Sequence, residues 1–193
     1  MNIYASQNTL IRLPPHLYTI GVETALKVEC DIEDVFDVTI RKLEGGLLLT
    51  SVGSDGQYNV MTIGWGLVGR LWGEPVFMVA VRPSRHTFQL LEETNEFTVN
   101  VPSDDMDETV AYCGRVSGRD HDKIQERGLS LLSGKSVVSP VIESCVAHYE
   151  CKVIGKSMAV PELLSSDVQR TCYRSGDFHT LYFGRILSIL MDR

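Results

Sequence analysis

The sequence predicts a mainly β fold, an antiparallel barrel with helical excursions, and three observations carry the prediction. Short apolar, β-branched runs recur at Gly46–Val52, Tyr58–Trp65, Val76–Val81, Phe97–Val101, Val146–Ile154 and Phe178–Leu190. Tight turn chemistry, clearest at Ser54-Asp55-Gly56, separates neighbouring runs. Too few helical segments lie between them for regular β-α-β alternation, which argues against a doubly wound parallel sheet.

The first forty residues mix short apolar groups with Pro14-Pro15 and an acidic stretch, Glu29–Asp37, and read as an entry strand plus connections peripheral to the domain. Gly46–Val52 and Tyr58–Trp65 then form a β-hairpin about the Ser54-Asp55-Gly56 turn. Gly66–Gly73 reads as a glycine-rich connection, and Pro75 opens the Val76–Val81 strand, which Arg82-Pro83 ends. Ser84 is placed to cap a helix over His86–Glu93, with Asn95 as its stop. Phe97–Val101 returns as a strand. Ser103-Asp104-Asp105 starts a second helix, favoured by the positive helix end, that runs to about Cys113 and stops at Gly114. Asp122–Arg127 is a helical turn closed by Gly128, and Val137–Pro140 leads into the long strand Val146–Ile154. A helix over Leu163–Arg174 and the strand Phe178–Leu190 complete the chain.

At 193 residues the whole chain, 1–193, reads as one domain with room for a sizeable core. Apolar residues at 44% and charged residues at 22% match an ordinary globular protein. No stretch reaches the roughly 18 uncharged apolar residues of a membrane span, and Met1–Arg12 lacks a basic segment followed by an apolar one. A cytoplasmic protein without a membrane partner is therefore expected. The five cysteines, Cys30, Cys113, Cys145, Cys151 and Cys172, are odd in number and never spaced Cys-x-x-Cys, so free thiols are expected. A formal charge of −7, a pI near 5.2 and the lack of a Lys/Arg stripe argue against nucleic acid as a partner.

Gly64-Trp65-Gly66-Leu67-Val68-Gly69 matches the dinucleotide fingerprint letter for letter. That motif works only where a helix begins at the glycines and an acidic residue follows about 20 positions on. Here Gly73 and Pro75 break the chain at once, and the residues at that distance are Ser84, Arg85 and His86, so the motif is rejected. His148, Glu150 and Cys151 hold metal-ligand chemistry, but on a strand the first two face one side and Cys151 the other, so no metal site is expected. Hydrolase and nucleotide-triphosphatase motifs are lacking. Three polar and cationic clusters remain, Asn59–Thr62, Arg82–Thr87 and Ser117–Lys123, each at a strand end or connection. An anionic cofactor needs oriented N–H and hydroxyl donors plus a cation, and Arg82-Pro83-Ser84-Arg85-His86-Thr87 offers these at a helix start. The same residues also suit a solvated loop with an ordinary helix cap.

Taken together, these segments resemble the flavin reductase-like family, which includes flavoredoxin and shares the FMN-binding split barrel with pyridoxamine phosphate oxidases. The resemblance covers roughly Gly45–Ser188 and rests on DGQYNVMTIGW (55–65), VRPSRHTFQLLEETNEFTVNVPS (81–103), YCGRVSGRDHDKIQERGLS (112–130), YECKVIG (149–155) and HTLYFGRIL (179–187). It implies a closed antiparallel split β-barrel with peripheral helices, paired as a homodimer, with one FMN per subunit near the interface. Trp65, Leu67 and Trp72, in a connection expected to be otherwise exposed, suit such pairing, and the same residues also suit a core. On the matching positions, Asn59, Val60, Met61 and Thr62 would face the pyrimidine side of the flavin ring, with Trp65 nearby. Ser84, Arg85 and Thr87, with Arg82 in the same run, would hold the phosphate. Ser117, Arg119 and Lys123 of the SGRD-x-DK element would add charge near the cofactor tail, oriented by Asp120 and Asp122. His179 matches a position close to the flavin and is the candidate catalytic residue. The chain departs from the family pattern at Gly64, where Ser is frequent, and at Arg185, where Glu is frequent. The implied activity is hydride transfer from NADH or NADPH to the flavin and on to a small-molecule or protein acceptor. The alternatives are an FMN-binding electron carrier of the flavoredoxin type without nicotinamide oxidation, and a non-catalytic FMN-binding protein.

Overall fold

The computed structural model describes residues 27–193. Along them run strands β1 (Lys27–Glu29), β2 (Leu47–Val52), β3 (Tyr58–Ile63), β4 (Gly66–Leu71), β5 (Glu74–Val81), β6 (Glu96–Pro102), β7 (Leu131–Leu132), β8 (Val141–Ile142), β9 (Cys145–Met158) and β10 (Thr180–Asp192). Helices α1 (Ile32–Gly45), α2 (His86–Thr94), α3 (Asp107–Arg115), α4 (Lys123–Glu126) and α5 (Ser166–Cys172) lie between them. One antiparallel sheet runs in the order β3-β2-β6-β9-β10-β5-β4, with β1 also on β10. β10 organises it: Thr180–Arg185 pairs with β5 as well as β9, and its last residues turn to β1. The two ends of the path, β3 and β4, do not pair, so no ladder closes a barrel among the described residues; a bond from Ala80 N–H to the Trp65 carbonyl ties the β3–β4 connection to β5.

The mainly β, antiparallel class matches the sequence expectation, as do the hairpin β2–β3 and strands β5, β6, β9 and β10. Two elements differ. Among the described residues of the stretch read as an entry strand and connections, β1 is extended and Ile32–Gly45 is a helix instead. Its first turn is fixed by Asp34, whose carboxylate accepts the Asp31 N–H at 3.0 Å. Its buried side is not peripheral: Val35 joins the main core, and the Thr39 hydroxyl meets the Tyr149 hydroxyl at 2.7 Å. The rest of the first forty residues, 1–26 with Pro14-Pro15, lies outside the described residues. The supposed glycine-rich connection 66–73 is strand β4, paired residue by residue with β5 from Gly66↔Val79 to Leu71↔Glu74. The dinucleotide glycines therefore lie at and along a strand, and no helix starts there, as argued from the sequence.

Two clusters sandwich the β2–β3 hairpin. Leu47, Leu49, Met61 and Ile63 face the main core with Phe77, Val79, Phe97, Val99, Tyr149 and Tyr182. Leu48 and Val60 face the other way, onto Met106, Val110 and Cys113 of the α3 region. This period-two alternation clamps both faces of the hairpin, so β3 is a rigid base for polar residues at its rim. In the core, Phe97 packs so closely on Gly184 that a Cβ there would come within 2.4 Å of its ring. All five cysteines are free. Among the described residues no helix is long and apolar enough to cross a membrane, and no group of side chains has metal-binding geometry.

Candidate functional site

Two adjoining clefts open where β3, the start of α2 and the end of α3 meet. The first, about 90 Å³, has polar walls: Asn59, Thr62, Arg85, Thr87, Ser117 and Lys123. The second, about 210 Å³, is flatter and lined by Ile63, Gly64, Trp65, Ala80, Arg82 and His179. Met61, Thr62 and Arg85 line both, so the two form one continuous site with a cationic end and an aromatic end.

The cationic end is built by helix termini. α2 starts at Arg85, whose extended backbone (φ −76°, ψ 141°) makes it the N-cap residue without any side-chain cap. His86 and Thr87 line the first cleft, and among the described residues no carbonyl of the preceding turn receives their N–H groups. Ser84, expected as the cap, sits one residue too early, and its N–H and hydroxyl both go to the Asp177 carboxylate, at 3.3 and 2.6 Å. Asn59 Nδ2 donates to the Thr87 hydroxyl at 2.7 Å, which leaves the Thr87 O–H itself free to donate. Gly118 lies so near that a Cβ there would come within 2.0 Å of Asn59 Oδ1.

From the other side, Lys123 buries its ammonium beneath the end of α3 and donates to the Cys113 and Val116 carbonyls at 3.2 and 3.4 Å. That α3 end runs past the expected stop, because Gly114 lies inside the helix, where its missing side chain lets the helix approach Thr62. Burial, the largest effect, pushes the Lys123 pKa down to about 8, and neighbouring Arg85 adds to it. Arg85 itself makes one long bond, Nη1 to the Gly114 carbonyl at 3.4 Å. Arg119 donates to the Ser84 carbonyl at 2.9 Å and does not line either cleft. Among the described residues none of Arg85, Arg119 and Lys123 pairs with a carboxylate. Asp122, expected to orient these cations, caps α4 instead by accepting the Gln125 N–H at 3.0 Å.

Arg82, three residues before Arg85, has a different role. Its guanidinium donates to the carbonyls of Cys172, Gly176 and Asp177, at 2.9, 3.3 and 2.8 Å, and so ties down the segment before β10. It edges the aromatic end without a free fork. There Trp65 and His179 rings lie 4.6 Å apart, and Tyr173 meets both. Burial, with Arg82 and Arg85 nearby, lowers the His179 pKa to about 4 and keeps the imidazole neutral at physiological pH.

The structure therefore gathers Asn59, Met61, Thr62, Trp65, Ser84, Arg85, Thr87, Ser117, Lys123 and His179 around one site, with Arg82 at its edge. Val60 does not reach it, since its side chain packs into the second cluster. Sequence reasoning missed His86, whose Nδ1 is buried without a partner at the cleft wall, and Tyr173. His86 had a signal, its place in the first turn of α2; Tyr173 had none. Of the two departures from the family pattern, Gly64 has open space where a Cβ would stand. Arg185 pairs with Glu74 at 3.2 Å, at the far end of the β5–β10 ladder from Arg82 and His179.

This arrangement defines a small antiparallel β protein that presents a cationic cradle joined to an aromatic cleft. Residues 40–193 match the flavin reductase like domain, and the chain belongs to that family. It is 32% identical over 131 residues to an uncharacterized protein of Archaeoglobus fulgidus, covering 68% of this chain and 64% of that relative. The chain thus spans a little under two thirds of that relative's length. Among solved structures, the flavoredoxin of Methanosarcina acetivorans is similar with a TM-score of 0.62 and 24% identity, over 77% of this chain and 68% of that one. An FMN-binding domain of a flavin reductases-like enzyme from Shewanella baltica is similar with a TM-score of 0.64 and 20% identity, over 88% and 78%.

Proposed function

We propose that the chain binds FMN in the joined clefts and acts as a flavin reductase, taking hydride from NADH or NADPH and delivering electrons to a small-molecule or protein acceptor. The observation that carries the reading is three cations, Arg85, Arg119 and Lys123, without carboxylate partners among the described residues, in a chain of net charge −7, gathered at a helix start whose N–H groups no described carbonyl receives. Such a set fits a phosphate dianion, and the aromatic cleft beside it fits a flat ring system. The flavin, when bound, supplies the two-electron chemistry.

The chain's own residues bind and orient. Arg85, the Thr87 hydroxyl and the first N–H groups of α2 hold the phosphate, and Lys123 adds charge from below. Ser84, its donors committed to Asp177, shapes the cradle, while Ser117 and Arg119 brace it through the Ser117 Oγ–Arg119 N–H and Arg119–Ser84 bonds. The rim of β3, Asn59–Thr62, lies along the ring's polar edge, largely through backbone groups, and stabilises charge gained there on reduction. Trp65 and His179 wall the ring end and exclude water.

In the same reading the sheet curls into a closed split barrel, and the protein works in the cytoplasm as a homodimer. Leu67 on the β4 edge and Trp72 in the turn after it, 67% and 65% exposed, support pairing. A solution mass equal to one 21.5 kDa chain at all concentrations would refute the dimer. The deciding experiment for function is the absorption spectrum of the purified protein with added FMN, followed by oxidation of NADH and NADPH. Flavin bands near one equivalent with nicotinamide turnover support the reductase. Bound flavin without turnover leaves the electron carrier, and a protein that ignores FMN sinks both.

A further inference from the structure

The segment between β9 and β10 brings one hydroxyl to the site that neither the sequence nor the family match assigns. Tyr173 OH lies 2.9 Å from His179 Nδ1. Its ring is held on three sides: stacked on Phe178 with centroids 4.5 Å apart, under the Arg82 guanidinium at 5.1 Å, and against the Trp65 edge at 6.0 Å. The backbone carrying it is tied by the three Arg82 bonds and by the Asp177–Ser84 pair. The hydroxyl is therefore fixed in place. The other imidazole nitrogen, His179 Nε2, has no protein partner among the described residues and is not sealed from solvent, while the ring lines the aromatic cleft.

We propose that Tyr173 is a positioning residue: its hydroxyl donates to His179 Nδ1 and so fixes the tautomer in which Nε2 carries the proton and offers an N–H to the aromatic cleft. A phenol and a neutral imidazole can pair in two ways, O–H to the ring lone pair or ring N–H to the phenol oxygen. The imidazole lone pair is the better acceptor and the phenol the better donor. Arg82 over the phenol face strengthens this, because a cation against the ring draws electron density from the oxygen. The groups facing His179 are Arg82, Arg85, Asp177 and Tyr173; the two cations and burial outweigh Asp177 and keep the imidazole neutral, so its Nδ1 lone pair is available. Nε2–H then selects a hydrogen-bond acceptor, a carbonyl oxygen or ring nitrogen on a planar ligand, and disfavours a cationic group. The inference rests on the FMN reading only for what the cleft holds, since the Tyr173–His179 pair is built by the chain itself.

The test is long-range ¹H–¹⁵N NMR of the histidine rings in the purified protein from pH 5 to 8, with His179 assigned by His179→Gln. The expected result is a bare Nδ1 and a protonated Nε2. Tyr173→Phe keeps the ring and its stacking; it should move His179 toward a tautomer mixture and raise its pKa, because the bond it removes favours the neutral form. A protonated Nδ1 in the unsubstituted protein overturns the proposal without any variant. So does a Tyr173→Phe protein that folds and leaves tautomer and titration unchanged. FMN absorption titrations on the same samples separate the two readings: if FMN fails to bind, the proposed function falls while the ring-nitrogen spectra still decide this one.

Discussion

Replacing Arg85 by Ala removes a cation that the fold barely uses and the cradle needs. The side chain makes a single 3.4 Å bond to the Gly114 carbonyl, so nearly all of its five N–H donors are available to a ligand. Its backbone is an extended N-cap with no side-chain cap bond, a geometry Ala adopts equally well, so the stability cost should stay within about 0.5 kcal/mol. A forked, charge-assisted contact to a phosphate is worth about 1.5 to 3 kcal/mol, or roughly ten to a hundredfold in affinity. Fluorescence titration with FMN should show that loss, and titration with riboflavin, which lacks the phosphate, should show almost none. Equal weakening of both ligands, or of neither, in a protein with an unchanged circular dichroism spectrum would place the phosphate elsewhere.

Three further outcomes follow from the same geometry. Lys123 titrates at about 8 when no anion is near, and a phosphate beside it raises that value, so binding takes up a proton above pH 8. FMN affinity should accordingly fall by up to about tenfold per unit between pH 8 and 9.5, while Lys123→Met binds weakly and without that slope; a parallel fall in the variant rules Lys123 out. Gly118→Ala drives a Cβ to within 2.0 Å of Asn59 Oδ1, and the buried Asn59 side chain is held through its Nδ2 on the Thr87 hydroxyl, so overpacking of about 1 to 3 kcal/mol is expected. A melting temperature and FMN affinity both unchanged in that variant would show that the α3–α4 connection is not in contact with β3 there. His148, fully buried with a pKa pushed down to about 3, must be neutral to fold, whereas the unfolded chain protonates it near 6.5. Its contribution is complete above about pH 6.5 and is lost as pH falls toward 3, at no more than about 1.4 kcal/mol per unit. Urea unfolding between pH 6.5 and 4 should therefore show a shallower acid slope for His148→Gln than for the unsubstituted protein, and identical slopes would contradict a buried neutral imidazole.

The strands were legible because both faces of the β2–β3 hairpin are buried or half-buried and its ends carry turn residues. Helix α1 was missed although its pattern was present. Ile32, Val35, Val38 and Leu43 recur at helical spacing and pack on the core, but Glu33, Asp34 and Asp37 between them drew the stretch toward a polar connection. Acidic residues in a first turn are a helix-start signal, and here that signal outranked the loop-like composition. β4 was missed for the opposite reason. As an edge strand it has little burial alternation, and Gly66 and Gly69, read as breaks, serve a strand paired along its whole length with β5.

For the site, sequence order placed the right residues close together and could not rank them. Arg82 and Arg85 are three positions apart and chemically identical, yet the first is surrounded by the three carbonyls of a turned segment some 90 residues later in the chain, while the second faces a cleft with almost no acceptors. Which cation is structural is decided by where the Cys172–Asp177 turn happens to fold, and no local pattern near position 82 encodes that. Ser84 makes the same point, since the acid that takes its donors, Asp177, comes from that turn. A group able to bind a ligand is one whose hydrogen-bonding capacity the fold leaves unfilled, as with the first N–H groups of α2, Arg85, the Thr87 O–H and His179 Nε2. These atoms flank one continuous opening, and that coincidence, rather than any single residue type, is the physical argument for a phosphate at one end and a flat ring at the other.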